Sequence, residues 1–211
     1  MNVIGISSGG VGRLTNVDRM VQAVLEQSGH DTEFVKLAEL NYSACRGCVR
    51  LCAGPQVCML EDDLLPYYQK VKDADAVVLG ASVYFGKINA AMNSFVERFF
   101  GYRHVDITIA KKPFVLVIGG GGRDLNEVEK QFREMLRPFG VNVLNVVKYS
   151  SGIPPCMSCG RHKECSIGGL YGAMGKASHT LDIQPEHFRR WEDWHPVNEA
   201  VEAAGKKLRE L

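Results

Sequence analysis

Short apolar runs alternate with amphipathic stretches along this chain, and each apolar run stops at a turn rich in glycine or hydroxyl side chains. Such alternation admits few folds, because strands joined through helices must lie parallel, with the helices covering both faces of the sheet. Residues 2–7 read as a buried strand ending in Ser7-Ser8-Gly9-Gly10. A helix follows, with Thr15 as cap, Asp18 three residues on, and Val17, Met20, Val21, Val24 and Leu25 on one face. Gly29 ends it, and Thr32 to Leu37 reads as the second strand. A short helix over 63–71 tolerates Pro66 in its first turn. Ala76 to Gly80 is the third strand, apolar throughout as a strand covered on both faces should be. Its exit leads to a helix with Ile88, Met92, Phe95, Val96, Phe99 and Phe100 on one side. Pro113 to Ile118 is the fourth strand; a helix from Asp124 and a fifth strand from Val141 to Val147 follow. Val197, Val201, Ala204 and Leu208 face inward on a last helix. The expected fold is α/β, a doubly wound five-stranded parallel sheet in one domain over residues 1–211, with cysteine-rich insertions at 38–62 and 150–195.

Those insertions hold all seven cysteines: Cys45, Cys48, Cys52 and Cys58 in the first, Cys156, Cys159 and Cys165 in the second. A chain of 211 residues buries a core without staples. Its first residues show neither a basic leader nor a long apolar run, so a cytoplasmic setting with no membrane span is expected. Clustered thiols there bind metals or do redox chemistry. The formal net charge of +1 gives no case for nucleic acid or a membrane surface, which leaves small molecules and redox proteins as partners. Four thiolates in one loop suit an iron–sulfur cluster, a structural zinc ion or reactive thiol chemistry. The second run lacks a fourth ligand; His162, His179, a solvent or substrate atom, or a neighbouring subunit could supply one. With His162 it is a Cys3His set suited to zinc, and with an open position it suits a second [4Fe–4S] cluster. His30, His104, His187 and His195 have no cysteine or carboxylate at a telling spacing, Trp191 and Trp194 suggest a subunit contact, and Arg189 and Arg190 read as a solvated charge pair.

In an open parallel sheet, ligands bind beyond the carboxyl ends of the strands, where strand order reverses. The turn from Ser8 through Gly10, Arg13, Thr15 and Asn16 offers hydroxyls, backbone N–H groups and a helix N-terminus, all suited to phosphate. It matches neither the GxGxxG fingerprint nor a Walker loop. Ser82-Val83-Tyr84-Phe85-Gly86 leaves the third strand, and Gly119, Gly120, Gly121 and Gly122 leave the fourth, as a flat ring's backbone slot would need.

These motifs resemble those of the flavodoxin-like NADPH-dependent FMN reductase superfamily and, within it, the iron–sulfur flavoproteins, up to about residue 150 and over the last helix. Val17 and Ser82 depart from the usual hydroxyl and proline. The resemblance implies FMN, its phosphate held by Ser8, Arg13, Thr15 and Asn16, its isoalloxazine lined by Ser82 to Gly86, and its ring edge admitted by the four glycines. It also implies that Cys45, Cys48, Cys52 and Cys58 ligate a [4Fe–4S] cluster beside the flavin, although three residues rather than two separate the second and third cysteines. The implied activity is electron transfer between a one-electron donor such as ferredoxin and a two-electron small-molecule acceptor, in a homodimer or homotetramer. Two rivals remain: an NAD(P)H-dependent FMN or quinone reductase with structural zinc, and a non-enzymatic metal-responsive binding module.

Overall fold

The computed structural model describes residues 1–121 and 124–211. Five parallel strands run in the order β2-β1-β3-β5-β6: β1 (Asn2–Ser7), β2 (Asp31–Lys36), β3 (Ala76–Tyr84), β5 (Pro113–Gly120) and β6 (Asn142–Ser150). A sixth strand corrects the expected count. β4 (Lys87–Ile88) folds back antiparallel on β3, pairing Tyr84 with Lys87 and Val83 with Ile88. At two residues it is too short to leave a periodic signal. The third, fourth and fifth strands also run past their expected ends, because Ser82, Tyr84, Gly120 and Ser150 continue the extended backbone that their apolar neighbours begin.

Helices α1 (Asn16–Ser28) and α8 (His195–Arg209) cover one face. There Met20, Val21, Val24, Val115, Val117, Val201 and Leu208 form a core. Trp191 belongs to this core, buried within its own chain instead of awaiting a partner, whereas Trp194 is exposed. The other face carries α3 (Leu65–Asp73), α4 (Ala90–Glu97) and α5 (Leu125–Leu136) over Leu79, Phe95, Phe99, Phe114 and Phe132. The five-residue α2 (Val49–Ala53) lies in the first cysteine loop. Two single-turn pieces, α6 (Cys156–Cys159) and α7 (Gly169–Met174), lie in the second.

The depth at which α1 sits is set by glycine. A Cβ on Gly80 would lie 2.4 Å from Val21 Cγ2, and one on Gly119 would lie 2.4 Å from Val17 Cγ2. The helix therefore presses on bare backbone, which holds its N-terminus at the carboxyl edge of the sheet. Thr15 caps it, with the Asp18 side chain returning a bond to the Thr15 backbone N–H.

The turn between β3 and β4 is strained. Phe85 has φ 53° and is 97 % exposed, and Gly86 has φ 78°. A bulky residue in the left-handed region costs on the order of 1–3 kcal/mol, and Asn-Gly is the preferred pair for such a two-residue turn. Phe85→Asn is therefore expected to raise stability by about 1 kcal/mol, measured by chemical denaturation; a fall in stability would mean that the ring makes a contact outside this chain.

Candidate functional site

The loops after β1, β3, β5 and β6 meet over the point where strand order reverses, between β1 and β3. They enclose a cavity of about 310 Å³. Its lining takes Arg13, Thr15, Asn16 and Val17 from the first loop, Ser82, Val83 and Tyr84 from β3, and Gly119, Gly120 and Gly121 from the end of β5. Ten of the sequence-predicted cofactor residues thus share one space.

Four of the other described ones do not line it. Ser8 is buried and its hydroxyl is engaged by the sheet, donating to the Gly80 carbonyl at 3.2 Å and accepting the Ser82 N–H at 3.2 Å. It ties the phosphate-type loop to β3. Gly10 lies 4.0 Å, measured from an added Cβ, from the Tyr84 hydroxyl. Phe85 and Gly86 form the exposed turn beyond the cavity. Gly122 lies outside the described residues. The remaining glycines answer a packing demand as well: a Cβ on Gly121 would come within 2.7 Å of the Ile153 carbonyl oxygen.

Four arginines give the cavity a cationic lining. Arg13, Arg19, Arg189 and Arg190 line it beside the N-terminus of α1, whose unpaired N–H groups favour an anion. Arg13 donates to Ser158 Oγ at 3.0 Å and lies 5.7 Å from the Phe188 ring centroid. Arg19 is paired with Glu192. Asn16 accepts from Arg19 and from the Trp191 N–H, and donates to the Arg189 carbonyl. Arg189 and Arg190 are exposed, as expected of solvated charges, but they also line the cavity, and Arg190 lies 3.5 Å from Glu192. Residues 153–190 as a wall of this cavity were missed from sequence, because nothing local marks Pro154, Ser158 or Phe188 as neighbours of Arg13.

Beneath the loop lies a buried polar cluster. Asp18 accepts from Ser7 Oγ at 2.6 Å and from the Thr15 N–H at 2.7 Å, and its carboxylate pairs with Lys36 Nζ at 3.1 Å. Lys36 in turn donates to the Arg13 carbonyl at 2.5 Å. Neither charged side chain is more than 3 % exposed. The loop's shape is thus held by the chain's own side chains, and the lining suits a molecule with both an anionic group and apolar surface.

The first cysteine quartet does not line the cavity. Cys45 is exposed and Cys48 precedes α2, while Cys52 and Cys58 turn inward. Cys52 Sγ lies 3.0 Å from His104 Nε2, a cysteine partner that no spacing announced. Burial, and then the neighbouring Cys48 thiol, pushes the Cys52 thiol up. Cys58 Sγ accepts a hydrogen bond from Arg98 Nε at 3.1 Å. Arg98 is buried and also bonds the Ser43 carbonyl at 3.2 Å and Asp62 at 2.6 Å, which clamps both ends of the loop. Burial would raise the Asp62 carboxyl, but the Arg98 guanidinium and the Ser43 N–H outweigh it and hold the carboxyl below its ordinary value. The donor set suits an iron–sulfur cluster chemically. Among the described residues, however, no three His, Cys, Asp or Glu side chains are drawn to ion-binding distance.

Comparison with known proteins places this geometry in a lineage. An iron–sulfur flavoprotein of Methanocaldococcus jannaschii is 34 % identical over 100 residues, covering 46 % of this chain and 51 % of that one. Iron–sulfur flavoproteins of Archaeoglobus fulgidus and Methanosarcina thermophila are 28 % and 26 % identical over 144 and 127 residues, covering 67 % and 59 % of this chain and 64 % and 65 % of theirs. The chain thus spans about half to two thirds of the length of these relatives. Among solved structures, the azoreductase AzrA superposes with a TM-score of 0.59 at 13 % identity, covering both chains fully. An NAD(P)H:quinone oxidoreductase from Methanothermobacter marburgensis superposes with a TM-score of 0.58 at 14 % identity, covering 100 % of this chain and 95 % of that one. Both share the fold. The sequence model of the NADPH-dependent FMN reductases matches residues 1–153, and the chain belongs to that family, alongside the iron–sulfur flavoproteins.

Proposed function

We propose that this protein is an FMN-dependent oxidoreductase whose flavin occupies the cavity over the β1/β3 reversal, and that it passes electrons between a one-electron donor such as ferredoxin and a two-electron acceptor. The observation that carries this reading is the cavity itself, whose lining combines four arginines and a helix N-terminus with Val83, Tyr84 and Gly119, Gly120 and Gly121. In it, Arg13 and the first turn of α1 would bind the phosphate, and Asn16 would hold the loop to the wall at Arg189. Val83 and Tyr84 would orient the ring and exclude water from one side. FMN bound there supplies storage and delivery of two electrons. The relatives' shared name supports an iron–sulfur cluster, which we assign as [4Fe–4S] to Cys45, Cys48, Cys52 and Cys58. As described, the four thiols are not gathered, so no electron step is derived through such a cluster.

A second reading is favoured by Arg189 and Arg190, which line the cavity beyond Arg13 and would suit the phosphates of NAD(P)H. The protein would then be a nicotinamide-dependent flavin or quinone reductase. Anaerobically purified protein separates the two. Flavin absorption with about four irons per chain, bleached by reduced ferredoxin and not by NADPH, is the expected result. Bleaching by NADPH with no iron present would establish the second reading, and colourless protein that takes up no added FMN would exclude both.

A further inference from the structure

The second cysteine segment has little core of its own: between residues 151 and 190 only His162, Leu170 and Ser178 are buried. A forty-residue stretch of single turns with one buried aliphatic side chain needs some other device to hold its shape. Its sequence offers one, since Cys156, Cys159, His162 and Cys165 recur at every third position.

His162 is 7 % exposed. Its Nε2 lies 2.8 Å from the Leu181 carbonyl oxygen, which makes Nε2 the protonated nitrogen. Nδ1 is then a lone pair, and it is buried without any hydrogen-bond partner. Native structures rarely tolerate such an atom unless an ion or water completes it. A ring nitrogen donating to a backbone carbonyl while the other stays free is also how a metal-ligating histidine is oriented.

Two of the three thiols meet at a glycine. A Cβ on Gly168 would lie 2.8 Å from Cys156 Sγ and 3.1 Å from Cys165 Sγ, and the Gly168 N–H donates to Cys165 Sγ at 3.2 Å. Gly160, with φ 74°, reverses the chain directly after Cys159. His179, the other histidine of the segment, has its Nε2 3.2 Å from the Cys165 carbonyl oxygen and stacks on Tyr171, so it braces the loop.

We propose that Cys156, Cys159, Cys165 and His162, through Nδ1, bind one zinc ion as a closed structural site. Three thiolates and one imidazole match a closed tetrahedral zinc set, whereas an iron–sulfur cluster would leave the buried nitrogen unexplained. Among the described residues the four donors do not lie within ion-binding distance of one another, so binding would require Cys159 and His162 to close on Cys156 and Cys165. Its position gives it a second effect: Pro154, Pro155 and Ser158 line the cavity, and Ser158 is the partner of Arg13. The ion would fix the wall of the cavity without touching its occupant.

The test uses the full chain carrying Cys45→Ser and Cys48→Ser, which disables the first quartet at its two more accessible thiols. Metal analysis is expected to give one zinc per chain, and zinc-edge X-ray absorption is expected to give three sulfurs at about 2.3 Å and one nitrogen at about 2.0–2.1 Å. In that background His162→Ala should lose the zinc, and His162→Cys should restore it with a four-sulfur shell. Iron and sulfide in place of zinc, zinc with no nitrogen ligand in the His162 protein, or no bound metal would each overturn the proposal. The absorption measurement on the His162 protein decides the matter even if the alanine variant fails to fold. None of these readouts depends on flavin, so their failure is distinguishable from failure of the proposed activity.

Discussion

Asp62→Ala is expected to destabilise the protein by about 3–5 kcal/mol, read as a lowered midpoint in chemical denaturation. The Arg98 side chain is fully buried, with its guanidinium 4.7 Å from the Tyr68 ring centroid, and Asp62 is its paired carboxylate at 2.6 Å. Removing Asp62 leaves a charge in the core with only the Ser43 and Leu60 carbonyls and Cys58 Sγ as partners. Removing both charges, with Asp62→Ala and Arg98→Met together, should recover much of the loss, because the desolvation cost disappears with the guanidinium. The pair also predicts an acid limit. The folded carboxyl sits below its ordinary value of 3.8, so the unfolded chain takes up its proton first as pH falls. The contribution is therefore full above about pH 4 and is lost as pH drops through the folded value. Wild-type protein should lose stability over that range, and Asp62→Ala should lack this component. A loss below about 1 kcal/mol would identify the pair as an ordinary surface bridge.

Asp18→Ala should match that loss and also weaken FMN binding by about tenfold or more, equivalent to about 1.4 kcal/mol. The carboxylate holds Ser7, the Thr15 backbone and Lys36 at once. A Cβ on Gly9 would fall 2.2 Å from Asp18 Oδ1, which shows how tightly the loop wraps it. Without it, Lys36 is a buried ammonium with no counter-charge, and the loop from Ser8 to Thr15 loses its template. Asp18→Asn keeps an oxygen for Thr15 but not the charge for Lys36, so it should fall between the two in both stability and FMN affinity. Flavin fluorescence titration against denaturation of the same samples separates the effects. Unchanged affinity in a folded Asp18→Ala protein would show that the loop's shape comes from elsewhere.

What could be read in advance follows from how far each signal travels along the chain. Val77, Val78 and Leu79 announce a buried strand by themselves, and Thr15 with Asp18 announces a helix start within four positions. The sheet, the major helices and the turns after β1, β3 and β5 were therefore legible. Tyr84 and Ser150 were not legible as strand residues, because their backbone is extended by neighbours that only the sheet supplies. Long-range partners left no trace: Arg98 meets Cys58 across forty positions, and His104 meets Cys52 across fifty-two. Arg189 is the surface charge it looked like, and only the fold of the chain beyond β6 over Arg13 brings it to the cavity.

Both ends of that covering segment are fixed to the same side of the sheet. β6 delivers the chain beside β5, and α8 returns it against α1, with Val201 and Leu208 in the shared core. The span from 151 to 194 is therefore a closed excursion between two anchored points. The entropic cost of such a loop rises by only about 0.6 kcal/mol for each doubling of its length. Lineages of this fold can therefore lengthen, shorten or exchange what lies over the cavity while the sheet beneath keeps its strand order, which makes this position a natural graft point for new specificity.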